Sequence, residues 1–319
     1  MSNNSNLNRA KKARNDEFYS MLSDIENELS HYKEHFKNKV VYCNCDDPTQ
    51  SNFVKYFQIN FDKLNLKKLI ATGYRKNSRG IKLVYDSNCK DANVEELEGD
   101  GDFRSEECVK LLDETDIVVT NPAFSLFREY IAQLVGHNKK FLIIGNINAV
   151  TYICPYIKNK QIWLGFGTDS WYRVPDDFDD RPGVKIENGK KFFKVKTRWF
   201  TNLDVKKRHE FLTLTEKYDP AKYPKYDNYD AINVDKVKDI PKDYWGVMGV
   251  PTTFLTKFCP EQFNIIGITY SKDKNPDIEK IRTSPNHRHN PIINGKDIYP
   301  RILVQRRKAA GENEADHGA

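Results

Sequence analysis

The chain has 319 residues, enough to bury a sizeable core in one large domain or two modest ones. Charged residues make up 30% and the mean hydropathy is −0.72; no apolar run reaches the roughly 18 residues of a membrane-spanning helix, so a soluble protein with no membrane partner is expected. The net charge of +6 is mild but uneven: Arg9, Lys11, Lys12 and Arg14 precede the first acidic residue, and Arg301, Arg306, Arg307 and Lys308 lie near the end. Such clusters suit phosphate backbones as well as a solvated tail.

Residues 1 to 15 read as a flexible basic arm, polar and without the apolar segment of a signal peptide, so a cytoplasmic protein is expected. Phe18, Met21, Leu22, Ile25, Leu29, Tyr32 and Phe36 recur at three- and four-residue spacing, which predicts an amphipathic helix. Val40 to Cys43 predicts a short buried strand that empties into the polar loop Asn44 to Ser51, and a helix with Phe53, Val54 and Phe57 follows. Strand, loop and helix make half of a βαβ unit, and in such sheets ligands sit at the carboxyl ends of the strands. Lys68 to Thr72 supplies the next strand, and Lys82 to Tyr85 suggests another.

Gly99-Asp100-Gly101-Asp102-Phe103 is a tight polar turn before a short helix with Val109, Leu111 and Leu112. Ile117 to Thr120 then runs straight into Asn121-Pro122-Ala123-Phe124, which reads as a buried strand ending at a functional loop. Asn offers a carbonyl oxygen, the proline ring fixes φ and so places its own carbonyl, and Phe124 offers a flat apolar face. Two acceptors beside a stacking ring suit a planar group carrying an NH2. A helix (Leu126 to Leu134), a strand (Phe141 to Ile144), a helix (Ala149 to Lys158) and a strand (Ile162 to Leu164) continue the alternation, so a mostly parallel α/β sheet is predicted. Lys191 to Val195 and Arg198 to Leu203 resemble a hairpin at its edge.

From about Asp204 the alternation fades and Tyr, Pro, Asp and Lys dominate, although Phe254 to Ile268 and Ile298 to Val304 keep apolar runs that predict order. The expected division is therefore a catalytic domain over 16–204 and a second region over 205–319. The six cysteines (Cys43, Cys45, Cys89, Cys108, Cys154 and Cys259) show no CxxC pairs, which argues against a zinc site and for reduced thiols.

Asp16-Glu17-Phe18-Tyr19, Val40 to Pro48, Gly99 to Ser105, Thr201 to Val205, Tyr223 to Val234 and Gly246 to Pro251 follow one another as in the EcoRI modification methylase family, which the chain resembles over nearly its whole length. The resemblance implies a Rossmann-like class I methyltransferase with a C-terminal target-recognition region. It implies transfer of a methyl group from S-adenosyl-L-methionine to N6 of a flipped-out adenine in double-stranded DNA, at a GAATTC-like site. It also implies a monomer and functional pairing with a restriction endonuclease. Asn121, Pro122 and Phe124 would hold the adenine. The cofactor's methionine part would lie near Phe18, Tyr19, Cys43, Asp46 and Asp47, and its adenine at Asp102 and Phe103. His287, Arg288, His289, Asn290, Lys296 and Arg301 are candidate readers of the DNA sequence. The family usually has a second proline where this chain has Ala123, which keeps open a catalytically weak DNA-binding homologue. Methyltransferases of protein glutamine or RNA share the Asn-Pro-Pro-aromatic ending and form the remaining alternative.

Overall fold

Val40–Cys43 (β1) consists of four successive buried residues, the mark of a strand covered on both faces. In the computed structural model, which describes residues 19–87, 93–167, 170–176, 178, 182–269, 275–283 and 290–308, β1 lies near the middle of an eight-stranded sheet. Its neighbours are Lys68–Gly73 (β2) and Ile117–Thr120 (β5), both parallel to it, and Lys140–Asn146 (β6) runs parallel to β5. Ile81–Asp86 (β3) and Asn93–Glu96 (β4) extend the sheet antiparallel beyond β2. The centre is thus a parallel α/β sheet of order β2-β1-β5-β6, as the alternation of strands and helices predicts.

The local signals are physical ones. Ser51 caps the helix Asn52–Ile59 by accepting from Phe53 N at 3.0 Å, a contact of about 1 kcal/mol. Ser105 caps Glu106–Asp113, whose first turn carries Glu106 and Glu107 against the positive end of the helix dipole. The amphipathic helix expected after Phe18 is Leu22–Leu29, tightening into a 3-10 segment Ser30–Phe36, with Ile25, Leu29, Tyr32 and Phe36 buried.

The expected edge hairpin does not form. Thr197–Thr201 (β11) pairs antiparallel with β6 inside the main sheet, and Trp163–Leu164 (β7) follows it at the edge. Lys190–Val195 (β10) instead joins Ser170–Arg173 (β8) and Val184–Glu187 (β9) in a separate antiparallel sheet, order β8-β10-β9. The reason is burial: four of the five β11 residues are buried and need cover on both faces, whereas β10 has one buried residue in six, Val195, and its two exposed lysines keep a face for water.

The chain separates into two compact units, Met1–Ala149 with Leu164–Leu203, and Val150–Trp163 with Asp204–Ala319. The second unit is more regular than its composition suggests. Ile232–Asn233 (β12), Met248–Val250 (β13), Ile302–Arg306 (β17) and Phe263–Ile268 (β14) form a sheet in that order. The helix Val150–Lys158 packs on β14, and Lys158 pairs with Asp277 of the helix Pro276–Ile281. A small hairpin, Ile292–Ile293 (β15) and Lys296–Asp297 (β16), turns on Asn294 and Gly295, both at positive φ (51° and 74°), the conformation a two-residue type I′ turn requires. Among the described residues no helix is long and apolar enough to cross a membrane.

Candidate active site at the carboxyl ends of the central strands

β1, β2 and β5 end side by side, and a single carboxylate joins two of those ends. Asp46, three residues past β1, accepts a short hydrogen bond from the Thr120 hydroxyl at the last position of β5 and one of 2.7 Å from Ser51 Oγ. The backbone N–H of Asn121 donates to the same carboxylate. Thr120 Oγ1 accepts in turn from Cys45 N at 3.2 Å, and Asp46 N donates to Thr72 O at the end of β2. Burial pushes the Asp46 carboxyl up to about 6, against the Thr120, Ser51 and Asn121 hydrogen bonds that favour its ionised form. The start of the Asn-Pro loop is therefore fixed from behind. Asn121 is half-buried, Pro122 is buried, Ala123 is exposed, and Phe124 opens a 3-10 turn, Phe124–Leu126, with its side chain half-buried.

The Gly99 to Phe103 turn reaches the same place through close backbone contacts. Gly101, at φ +82°, has no room for a Cβ, which would lie 2.5 Å from Gly73 O; one on Gly80 would lie 2.7 Å from Asp100. A Cβ on Gly73 would come within 3.0 Å of Asp47 Cα. The polar loop after β1 and the Asp102 turn thus flank the end of β2, with glycine as the residue that lets them approach. Beneath them Asn44 is 1% exposed: its Oδ1 accepts from the Tyr130 hydroxyl, while Nδ2 has no partner among the described residues. An orphaned buried donor at a strand end beside two polar loops fits a ligand rich in acceptors.

The family described as adenine-specific methyltransferase EcoRI matches residues 6–307. The chain belongs to that family. It is 48% identical to Type II methyltransferase M.EcoRI of Escherichia coli over 95% of this chain and 96% of that protein. It is 40% identical to Type II methyltransferase M.MpnI of Mycoplasma pneumoniae and 38% identical to M.MgeORF184P of Mycoplasma genitalium, again over 95% of this chain and 98% or 99% of theirs. No solved structure gives a significant match. As a member of the EcoRI family the protein is an adenine-specific DNA methyltransferase.

Within this methyltransferase the residues expected at the site fall into three groups. Asn121, Pro122, Phe124, Asp46 and Asp47 gather around the ends of β5 and β1; Asp47 Oδ1 accepts from Thr49 N and Oγ1, shaping the loop. Asp102 and Phe103 adjoin them but are engaged. Arg104 donates to both Asp102 oxygens, at 2.9 and 2.6 Å, and holds that carboxyl below the usual range. Phe103 is 7% exposed, edge-on to Tyr130 at 5.0 Å, and Gln133 donates to its carbonyl. Cys43 is fully enclosed, its thiol pushed well up by burial, so what it presents at the strand end is backbone. Tyr19 exchanges backbone hydrogen bonds with Arg173, and the next carbonyl, of Ser20, accepts from the Asn52 amide at the start of the helix after the loop. Phe18 lies outside the described residues.

Sequence reasoning marks the loop holding Asn44 and Ser51, the strand ending at Thr120 and the turn holding Gly101, but not the parts that Thr120 and Ser51 play as partners of Asp46, nor Tyr130 and the glycines 73 and 80. Two signals were there to find: a serine directly before an apolar helical run as an N-cap, and a hydroxyl residue closing a buried strand. Of the candidate DNA readers, His287, Arg288 and His289 lie outside the described residues. Arg301 is 13% exposed at its side chain and committed to Asn233 and Asp235. Lys296 is exposed on the Asn294-Gly295 hairpin.

Proposed function

We propose that this protein transfers a methyl group from S-adenosyl-L-methionine to N6 of an adenine flipped out of double-stranded DNA, as the modification partner of a restriction endonuclease. The observation that carries the reading is the Asn121-Pro122 end of β5, tied to the loop after β1 through Asp46 and Thr120. Adenine's amino nitrogen is a weak nucleophile because its lone pair is delocalised into the ring. The Asn121 side-chain oxygen and the Pro122 carbonyl each take one N–H, which turns the lone pair out of the plane and aims it. Phe124 stacks on the extruded base and replaces its neighbours in the duplex. Catalysis is then positioning and electrostatics, and no side chain is asked to remove a proton before transfer.

S-adenosylmethionine supplies, when bound, a methyl carbon already activated by the sulfonium. The residues present fit it: the orphaned Asn44 Nδ2 and the glycine-lined approach of two polar loops lie at the strand ends where such a molecule binds in a parallel α/β sheet. Phe18, Tyr19, Cys43, Asp46 and Asp47 would surround its methionine part, Cys43 through backbone and Asp46 through the shape it gives the loop. Asp102 would accept from its amino group at Oδ2, which holds one donor in Arg104, and Phe103 would floor the adenine.

On this reading residues 16–204 are a Rossmann-like class I catalytic domain, and 205–319 recognise a GAATTC-like site. The enzyme acts as a cytoplasmic monomer, methylating one strand of a duplex at a time. The test is incubation with radiolabelled S-adenosylmethionine and unmethylated duplex DNA, RNA or cell protein. Label in DNA, at N6 of adenine after nucleoside digestion, is expected. Label in protein or RNA alone would overturn the substrate, and label in none would make the chain a binding homologue.

A further inference from the structure

The small sheet β8-β10-β9 has two unlike faces. In its register Phe192 stands opposite both Arg173 and Lys185, Lys194 opposite Trp171, and Lys190 opposite Glu187. Paired residues share a face and side chains alternate along a strand. One face therefore carries Trp171, Arg173, Lys185, Lys190, Phe192 and Lys194, with Glu187 at its edge. The other packs inward over β8 and β10, where Tyr172 and Val195 are buried and Phe193 packs on Phe178 at 5.7 Å, while Ile186 on β9 stays exposed.

Among the described residues the outward face has four cations and one carboxylate, and Glu187 is taken by Lys185 at 3.0 Å. The Lys185 ammonium also lies 4.4 Å over the Trp171 ring, covering an aromatic that would otherwise face water. Lys190 and Lys194 are exposed, and neither they nor Arg173 have an acidic partner among the described residues. Lysines that block unwanted strand pairing belong on edge strands; these two stand on β10, the central strand, where that purpose is absent. Four residues of extended chain place them about 13 Å apart, too far to share one phosphate. Fixed cations spaced along a rigid strand, with flat side chains between, match a polyanion whose charges are evenly spaced.

We propose that this face is a second contact of the enzyme on the phosphate backbone of duplex DNA, made by residues separate from the target-base loop. The proposal rests on duplex DNA being the substrate. It is sequence-independent: Lys190 and Lys194 each neutralise one phosphate and release its counterions.

The experiment is the salt dependence of binding to a short duplex of arbitrary sequence, for wild type and the double variant Lys190→Ala/Lys194→Ala. With about 0.9 unit of slope per neutralised phosphate, the plot of log affinity against log salt should become shallower by about 1.8. Affinity for S-adenosylmethionine and thermal unfolding should stay as in wild type, since both side chains are exposed. The control Lys63→Ala/Lys67→Ala removes two exposed lysines elsewhere and should leave the slope alone. An unchanged slope in Lys190→Ala/Lys194→Ala, or an equal change in the control, overturns the proposal while leaving the catalytic reading intact. A wild type that ignored duplex DNA at low salt would sink both.

Discussion

Asp46→Asn separates the two things the Asp46 carboxylate does, which are to carry a charge in a covered position and to accept hydrogen bonds. Burial raises its pKa from the ordinary 3.8 to about 6. A folded-state pKa above the unfolded one means that the native protein holds the proton more tightly. The side chain therefore favours folding below the ordinary value, and that contribution is lost as pH rises through 6. At about 1.36 kcal/mol per unit, two units amount to roughly 3 kcal/mol of native-state cost near pH 8. The residue keeps some contact with solvent, so about 1 to 2 kcal/mol is the expected size. Asn removes the charge, keeps an oxygen for the Thr120 hydroxyl and the Asn121 N–H, and turns an NH2 toward Ser51 Oγ. Urea unfolding should show Asp46→Asn about 1 to 2 kcal/mol more stable than wild type near pH 8, with the gain falling by about half near pH 5. Methylation should persist, because the target loop keeps its anchor. Asp46→Ala removes that anchor, strands three donors, the Thr120 and Ser51 hydroxyls and the Asn121 N–H, at about 1 to 3 kcal/mol each, and should lower kcat sharply. A loss of stability in Asp46→Asn of equal size at both pH values would refute the reasoning, since it would mean that the charge itself holds the loop.

Asn121→Ala should cut kcat by roughly 100-fold or more while leaving duplex binding in a gel-shift assay intact; near-normal turnover would remove Asn121 from the mechanism. Ala123 sits at φ −56°, within the range proline imposes, and its N–H donates no backbone hydrogen bond among the described residues. Ala123→Pro should therefore add about 0.4 to 1 kcal/mol in urea unfolding and keep or raise activity, and a clear loss of activity would show a loop adapted to alanine. Glu28, 2% exposed, accepts from the Tyr32 hydroxyl and from the N–H groups of Phe166 and Gly167. Glu28→Ala leaves those donors in a covered position and should cost about 2 to 4 kcal/mol in unfolding experiments; a change within experimental error would show that water reaches them.

What the chain reveals by eye is what local patterning controls. Buried runs such as Val40–Cys43 and Ile117–Thr120 can only be covered strands, and their alternation with amphipathic helices leads to a parallel sheet. The end of β5 is legible because Asn-Pro stops a strand by its own chemistry. Strand partners are another matter: that β11 enters the main sheet while β10 leaves it depends on which other strands need cover. Asp46 and Thr120 lie 74 positions apart, and nothing at either position announces the other. Arg301 illustrates the opposite error, since a cation near a chain end reads as a solvent group until Asn233 and Asp235 are seen to hold it.

Ala123 poses the remaining question, whether an alanine where the family resemblance leads one to expect a second proline weakens the enzyme. Under the proposed mechanism the base must meet two acceptors, and their places are set by three restraints: the fixed φ of Pro122, the N–H of Asn121 held by Asp46, and the Thr120 hydroxyl that fastens the strand end behind them. All three act on the inner side of the loop, where Pro122 is buried. Ala123 is on the outer side, exposed, and already adopts the φ that proline would enforce. What the alanine gives up is unfolded-state restriction, worth about 0.4 to 1 kcal/mol spread over the whole molecule, and not the aim of either acceptor. A methyl transfer governed by aim should survive that loss with little change in kcat, whereas one governed by loop rigidity should fall with it, and the Asp46→Ala and Ala123→Pro variants measured side by side distinguish the two.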